Sequence, residues 1–175
     1  HVHDPIVQHV LPLLRNNHIL QNKLVWSLES AGLHSGRTWR TVVFWSNGVL
    51  STRACVQHVD VFAGVCAMVK HLLSTVPGMN TATGQIKLSQ MQPGTVVRSH
   101  AGPTNERLRM HCSVDVPVDR KTGMRIRVGD VWRSWSSVNA NVSMDEDGGN
   151  ACFVFREECE HEVRIDETTS RPRTV

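Results

Sequence analysis

A chain of 175 residues that is 40% hydrophobic and 20% charged can close a buried core and is too apolar to stay disordered. Its net charge is only +3, and Arg and Lys are scattered rather than bunched, which argues against nucleic acid as a partner and fits a small anion as well. No apolar run approaches the roughly 20 residues of a membrane-spanning helix.

The chain opens His1-Val2-His3 rather than with Met, and it reads as a segment of something longer. Asp4-Pro5 has the form of an N-cap followed by Pro at the first helical position. Ile6, Val7, Val10, Leu13 and Leu14 continue at roughly helical spacing, with Pro12 shortening the helix. A strand is expected from Trp39 to Trp45, closed by the turn Ser46-Asn47-Gly48. A second helix follows: Asp60 can cap it, Phe62, Val65, Cys66, Val69 and Leu73 recur at its spacing, and Pro77-Gly78 ends it.

From Gly84 the pattern becomes strand-like. Gln85 to Met91 ends at the Pro93-Gly94 turn. Arg107 to Val118 alternates, with Leu108, Met110, Cys112, Val114 and Val116 on one face and Arg107, Arg109, His111, Ser113 and Asp115 on the other. Met124–Val128 and Ala151–Phe155 are further short strands, and 136–150 is a polar, acidic loop. Helices followed by several short strands imply an α+β domain with a sandwich or barrel.

The five cysteines, Cys55, Cys66, Cys112, Cys152 and Cys159, include no Cys-x-x-Cys pair, which disfavours structural zinc, and their odd number leaves at least one thiol free. His100 and His161 are candidates for a mononuclear metal site, but a His is more often a satisfied polar residue. The usual His-x-Asp or His-x-Glu is here His100-Ala101-Gly102. Arg109 and His111 share a strand face with Arg107 and Asp115. That face is either solvated or an anion site in which a guanidinium grips a carboxylate and an imidazole adds a bond, with Arg171 further along as another guanidinium. His1 and His3 read as exposed terminal residues, Trp132 and Trp135 as packing residues, and Asp145, Glu146 and Asp147 as a solvated acidic run.

Three stretches together carry a resemblance. They are Gly84-Gln85-Ile86-Lys87-Leu88-Ser89 with Pro93-Gly94-Thr95; His100-Ala101-Gly102-Pro103-Thr104-Asn105-Glu106-Arg107-Leu108-Arg109-Met110-His111; and Glu160-His161-Glu162-Val163 with Thr169-Ser170-Arg171. They resemble the catalytic domain of the aspartyl/asparaginyl β-hydroxylase family. Trp39, Trp45, Gly48, Cys55 and Cys66 extend the likeness more weakly upstream.

The resemblance implies one catalytic domain over 1–175, built on a double-stranded β-helix (jelly-roll, cupin-like) barrel with N-terminal helices. It implies an iron(II)- and 2-oxoglutarate-dependent dioxygenase that uses O2. Its iron ligands would be His100 and His161 alone, since the family has no carboxylate ligand and Gly102 agrees with that. Ser89 and Arg171 would hold the distal carboxylate of 2-oxoglutarate, and Arg109 and His111 its metal-proximal end. Cys55 and Cys66 fall where animal members have a disulfide.

The substrate implied is the β-carbon of Asp or Asn in a protein, such as an EGF-like domain. The alternatives are a lipid acyl chain or other small substrate, or a truncated, non-catalytic binding module. An animal-like member would lie in the lumen of the endoplasmic reticulum, where the sequon Asn141-Val142-Ser143 would be read. Two departures stand out. The loop at 136–150 is long, and the sequence stops soon after Arg171 where the family continues with an apolar strand. The last barrel strand is therefore expected to be absent, leaving its neighbour with unpaired backbone groups.

Overall fold

The computed structural model describes residues 26–114, 123–135, 152–167 and 173–174. The helix expected after Asp4, the loop at 136–150, the sequon and Arg171 lie outside these residues, as does the end of the alternating run beyond Val114. The strands, in chain order, are β1 (Ser27–Leu28), β2 (His34–Ser35), β3 (Trp39–Ser46), β4 (Val49–Leu50), β5 (Gln85–Met91), β6 (Val96–His100), β7 (Leu108–Cys112), β8 (Met124–Val128), β9 (Val131–Ser134), β10 (Cys152–Arg156), β11 (His161–Ile165) and β12 (Arg173–Thr174). Between β4 and β5 lie a π-helical turn, Arg53–Gln57, and the helix α1, Val59–Thr75. The described chain is thus mainly β, with its assigned pairs antiparallel and little helix.

The chain divides into two compact units, residues 1–27 with 40–89 and residues 28–39 with 90–175. In the first, β3 turns back into β4 at Asn47 and Gly48, both at positive φ, the conformation a tight two-residue hairpin demands. Helix α1 begins after His58 rather than at Asp60, which sits in the first turn and complements the helix N-terminus. Phe62, Val65, Cys66, Met68, Val69 and Leu72 form its buried face, and Phe62 meets Phe44 of β3 edge to face at 5.3 Å. Each such fully buried side chain contributes roughly 1.5–3 kcal/mol. The pairing that the resemblance implied is present: Cys55 and Cys66 form a disulfide tying the π-helical turn to α1.

The second unit holds a five-stranded sheet in the order β2-β6-β11-β8-β9 and a separate ribbon of β10 and β7. Period-two alternation sorts β8 and β11. Met124 and Ile126, with Val163 and Ile165, point into a core completed by Trp39, Met91, Val97 and Trp135. Arg125, Arg127, Glu162 and Arg164 take the opposite face of the same strands, where Arg127 and Arg164 bind Glu162. The short β12 pairs with the end of β5, Arg173 against Met91 and Thr174 against Gln90, so backbone groups there are met by a strand after Arg171.

The ribbon is turned the unusual way round. Leu108 is 71% and Val154 60% exposed, with Met110 beside them. The polar Arg109 and His111 face the other way, toward Phe155 and Glu157. A second disulfide, Cys112–Cys152, joins directly opposed residues of this ribbon and has no counterpart in the sequence reading; Cys159 is a free thiol.

Candidate active site

Residue His161 opens β11 on the inward face shared by Val163 and Ile165, and its cross-strand partner is His100, the last residue of β6. On β6, however, Val97 and His100 are three apart, which in a regular strand would send them to opposite faces. The pairing register slips between His161 and Val163, so that three steps along β6 match two along β11. This bulge turns His100 toward the side occupied by His161. The two imidazoles stand 4.2 Å apart by ring centroids.

Each ring is oriented by its own backbone. Nδ1 of His100 lies 2.8 Å from the Arg98 carbonyl, and Nδ1 of His161 lies 2.9 Å from the Cys159 carbonyl. A carbonyl only accepts, so both Nδ1 atoms carry a proton, and in the neutral form of each ring Nε2 keeps the lone pair. His161 is 1% exposed, and its Nε2 has no hydrogen-bond partner. Burial, assisted by the nearby His100 and Arg109, lowers its pKa to about 4 against the pull of the Cys159 carbonyl, so the ring is neutral at physiological pH. A buried, neutral, unpartnered imidazole nitrogen beside a second imidazole is the donor set a divalent transition metal takes. The residues therefore fit such an ion, although among the described residues no group of three His, Cys, Asp or Glu side chains converges.

The ribbon supplies the rest. His111 approaches His161 edge-on at 6.3 Å, packs against Phe155 at 5.5 Å, and lies parallel to Trp135. Arg109 forms an ion pair and hydrogen bond with Glu157, and Arg107 Nε stands 2.6 Å from the other carboxylate oxygen. Burial pushes the Glu157 carboxyl up, but the two guanidiniums outweigh it and hold it below the usual value. Two imidazoles able to offer nitrogens to a metal thus adjoin a cationic wall, a setting that suits a ligand carrying carboxylate groups.

Of the candidate residues, His100, His161, Arg109 and His111 come together in one unit. Ser89 is buried on β5 in the other unit, and Arg171 lies outside the described residues. Sequence reasoning missed Glu157, whose only signal was an acidic side chain just before the Glu-His-Glu-Val string. It left Trp135 as packing, and that residue is indeed buried in the core.

A model of the aspartyl/asparaginyl β-hydroxylase family matches residues 13–175, and the chain belongs to this family. It is 32% identical over 143 residues to the aspartyl/asparaginyl beta-hydroxylase of Mus musculus and 31% identical over the same length to that of Homo sapiens. In both cases the match covers 82% of this chain and 16% of the relative, so the chain spans about a sixth of those proteins. It is also 31% identical over 100 residues to aspartate beta-hydroxylase domain-containing protein 2 of Rattus norvegicus, covering 56% of this chain and 26% of that protein. Among solved structures, a prolyl-4-hydroxylase from Pseudomonas putida matches 98% of this chain and 82% of its own, at a TM-score of 0.49 and 14% identity.

Proposed function

We propose that residues 1–175 act as one catalytic domain of an iron(II)- and 2-oxoglutarate-dependent dioxygenase, on a double-stranded β-helix barrel, that hydroxylates the β-carbon of Asp or Asn in a protein substrate. The observation that supports it most is the pair His100 and His161, opposed across β6 and β11, with the buried Nε2 of His161 lacking any hydrogen-bond partner. These two residues would hold iron(II), which when bound supplies the oxidising power that couples loss of CO2 from 2-oxoglutarate to hydroxylation of a C–H bond by O2.

The protein's own contributions are position and charge. The Nδ1–H bonds to the Arg98 and Cys159 carbonyls fix which nitrogen each ring offers. By the roles the family's motifs give to these positions, Arg109 and His111 would serve the metal-proximal carboxylate, and Ser89 and Arg171 would serve the distal one. Phe155 and Trp135, packed against His111, exclude water from one side of the centre.

The test is to incubate the purified chain with Fe(II), 2-oxoglutarate, O2 and an EGF-like peptide containing Asp or Asn. Succinate release is expected, with a gain of one oxygen on the Asp or Asn side chain. Turnover with an acyl-chain acceptor alone would transfer the activity to a lipid substrate. No binding and no turnover of 2-oxoglutarate would leave a non-catalytic module. Arg171→Ala removes the partner of a desolvated carboxylate and should weaken 2-oxoglutarate binding by about 2–5 kcal/mol.

A further inference from the structure

Three observations meet at Glu157, a residue outside every motif of the site. Its side chain is only 7% exposed and sits between the guanidiniums of Arg107 and Arg109, binding one with each oxygen. It also fills the space facing Gly102: a Cβ built there would stand 1.9 Å from the Glu157 Cγ and 2.5 Å from its Cδ, an overlap no rotamer of residue 102 relieves. The backbone is stitched at the same place. The Gly102 N–H donates to the Glu157 carbonyl at 2.7 Å, and the Glu157 N–H donates to the Arg107 carbonyl at 3.0 Å.

We propose that Glu157 is a positioning residue that sets the Arg107 and Arg109 guanidiniums to receive a carboxylate ligand, and that residue 102 is glycine because the Glu157 side chain occupies its space. Deepening the function proposed above, this assignment depends on the site taking 2-oxoglutarate. A free guanidinium on a long side chain samples many orientations, and ordering it on binding costs affinity. Glu157 orders two of them beforehand. Arg109 meets Glu157 through Nη2, and its planar guanidinium has other N–H donors that can reach a ligand. The trio carries one net positive charge, which balances one incoming carboxylate. The carboxyl group that enters at position 157 therefore serves the arginines, and among the described residues it does not join the two imidazoles as a third donor.

The test measures binding of 2-oxoglutarate by calorimetry to the full chain loaded with Mn(II), alongside Mn(II) binding itself. Glu157→Gln keeps the shape and raises the charge of the trio by one. If Glu157 only neutralised the arginines, the dianion would bind more tightly. Positioning predicts the opposite sign, a loss of about tenfold. Gly102→Ala displaces Glu157 and should cost a similar factor alone, yet add nothing in a Glu157→Ala background, the non-additivity of two changes that act on one contact. Mn(II) affinity should stay at its wild-type value throughout, which separates the effect from loss of fold. Tighter or unchanged 2-oxoglutarate binding by Glu157→Gln, or additive losses in the double variant, would overturn the assignment and leave the proposed activity standing. Failure of the wild-type chain to bind 2-oxoglutarate at all would overturn both.

Discussion

The two strand pairs that carry the site are held in opposite ways. β6 and β11 lie inside a five-stranded sheet, backed by Val97, Ile126, Val163 and Ile165, and their histidines owe their places to register and one bulge. β7 and β10 form a two-stranded ribbon whose outer face leaves Leu108, Met110 and Val154 in solvent. Such a ribbon is marginal by itself. It is tied instead at one end by the Cys112–Cys152 bond and at the other by Glu157 gripping Arg107 and Arg109. The histidine-bearing half takes its precision from a packed sheet, and the arginine-bearing half takes it from cross-links.

The comparison breaks if the halves are not separable. The largest effect expected is on metal binding: replacing His100 and His161 together by Ala should lower divalent-metal affinity by at least about 100-fold. Amide exchange in β7 and β10 should stay as it was, and faster exchange there would show that the imidazoles also support the ribbon.

The converse experiment removes the ribbon's staple. Cys112→Ser with Cys152→Ser opens a loop of sequence separation 40 and should cost up to about 4 kcal/mol in urea titrations by the chain-entropy argument. Exchange should rise in β7 and β10 while metal affinity holds. A matching fall in metal affinity would merge the two halves into one.

A pH titration of the metal-free chain sharpens the contrast further. His161 binds its proton near 6.5 when unfolded and at about 4 when folded. The unfolded chain therefore binds more protons in that window. Stability should be complete above about pH 6.5 and fall as the pH drops through 4, by no more than about 3 kcal/mol. A flat profile in His161→Asn would assign the slope to this ring, and an unchanged slope would assign it elsewhere. The smallest effect belongs to the ribbon's outer face, where Val154→Thr should move stability by less than about 0.5 kcal/mol, read from the thermal midpoint. A larger loss would mean that this face is covered in solution.

Much of this was legible where local chemistry and tertiary packing agree. The strands Gln85–Met91 and Met124–Val128 form where the sequence places them, and α1 ends beside Pro77-Gly78 as its punctuation requires. The strand Val96–His100 was not foreseen, because its bulge breaks the period-two pattern on which strand recognition rests. The direction of the Leu108–Cys112 face was open, since alternation says which residues share a face and not which face turns inward. Cys112–Cys152 was invisible because it depends on cross-strand register, whereas Cys55–Cys66 was reached only through the family's motifs. Glu157 escaped because its importance lies in what surrounds it, above all the missing side chain at Gly102.

The parallel stacking of Trp135 on His111, 6.4 Å between centroids at 12°, has a practical consequence. The chain has five tryptophans and no tyrosine, so its near-ultraviolet emission belongs to indole alone. One of those indoles lies against an imidazole that itself faces His161, and its N–H reaches the His111 carbonyl at 3.5 Å. A paramagnetic ion bound between the histidines is a short-range quencher of that ring. Occupancy of the centre can therefore be followed by steady-state fluorescence on unlabelled protein, with Trp135→Phe as the control that abolishes the signal.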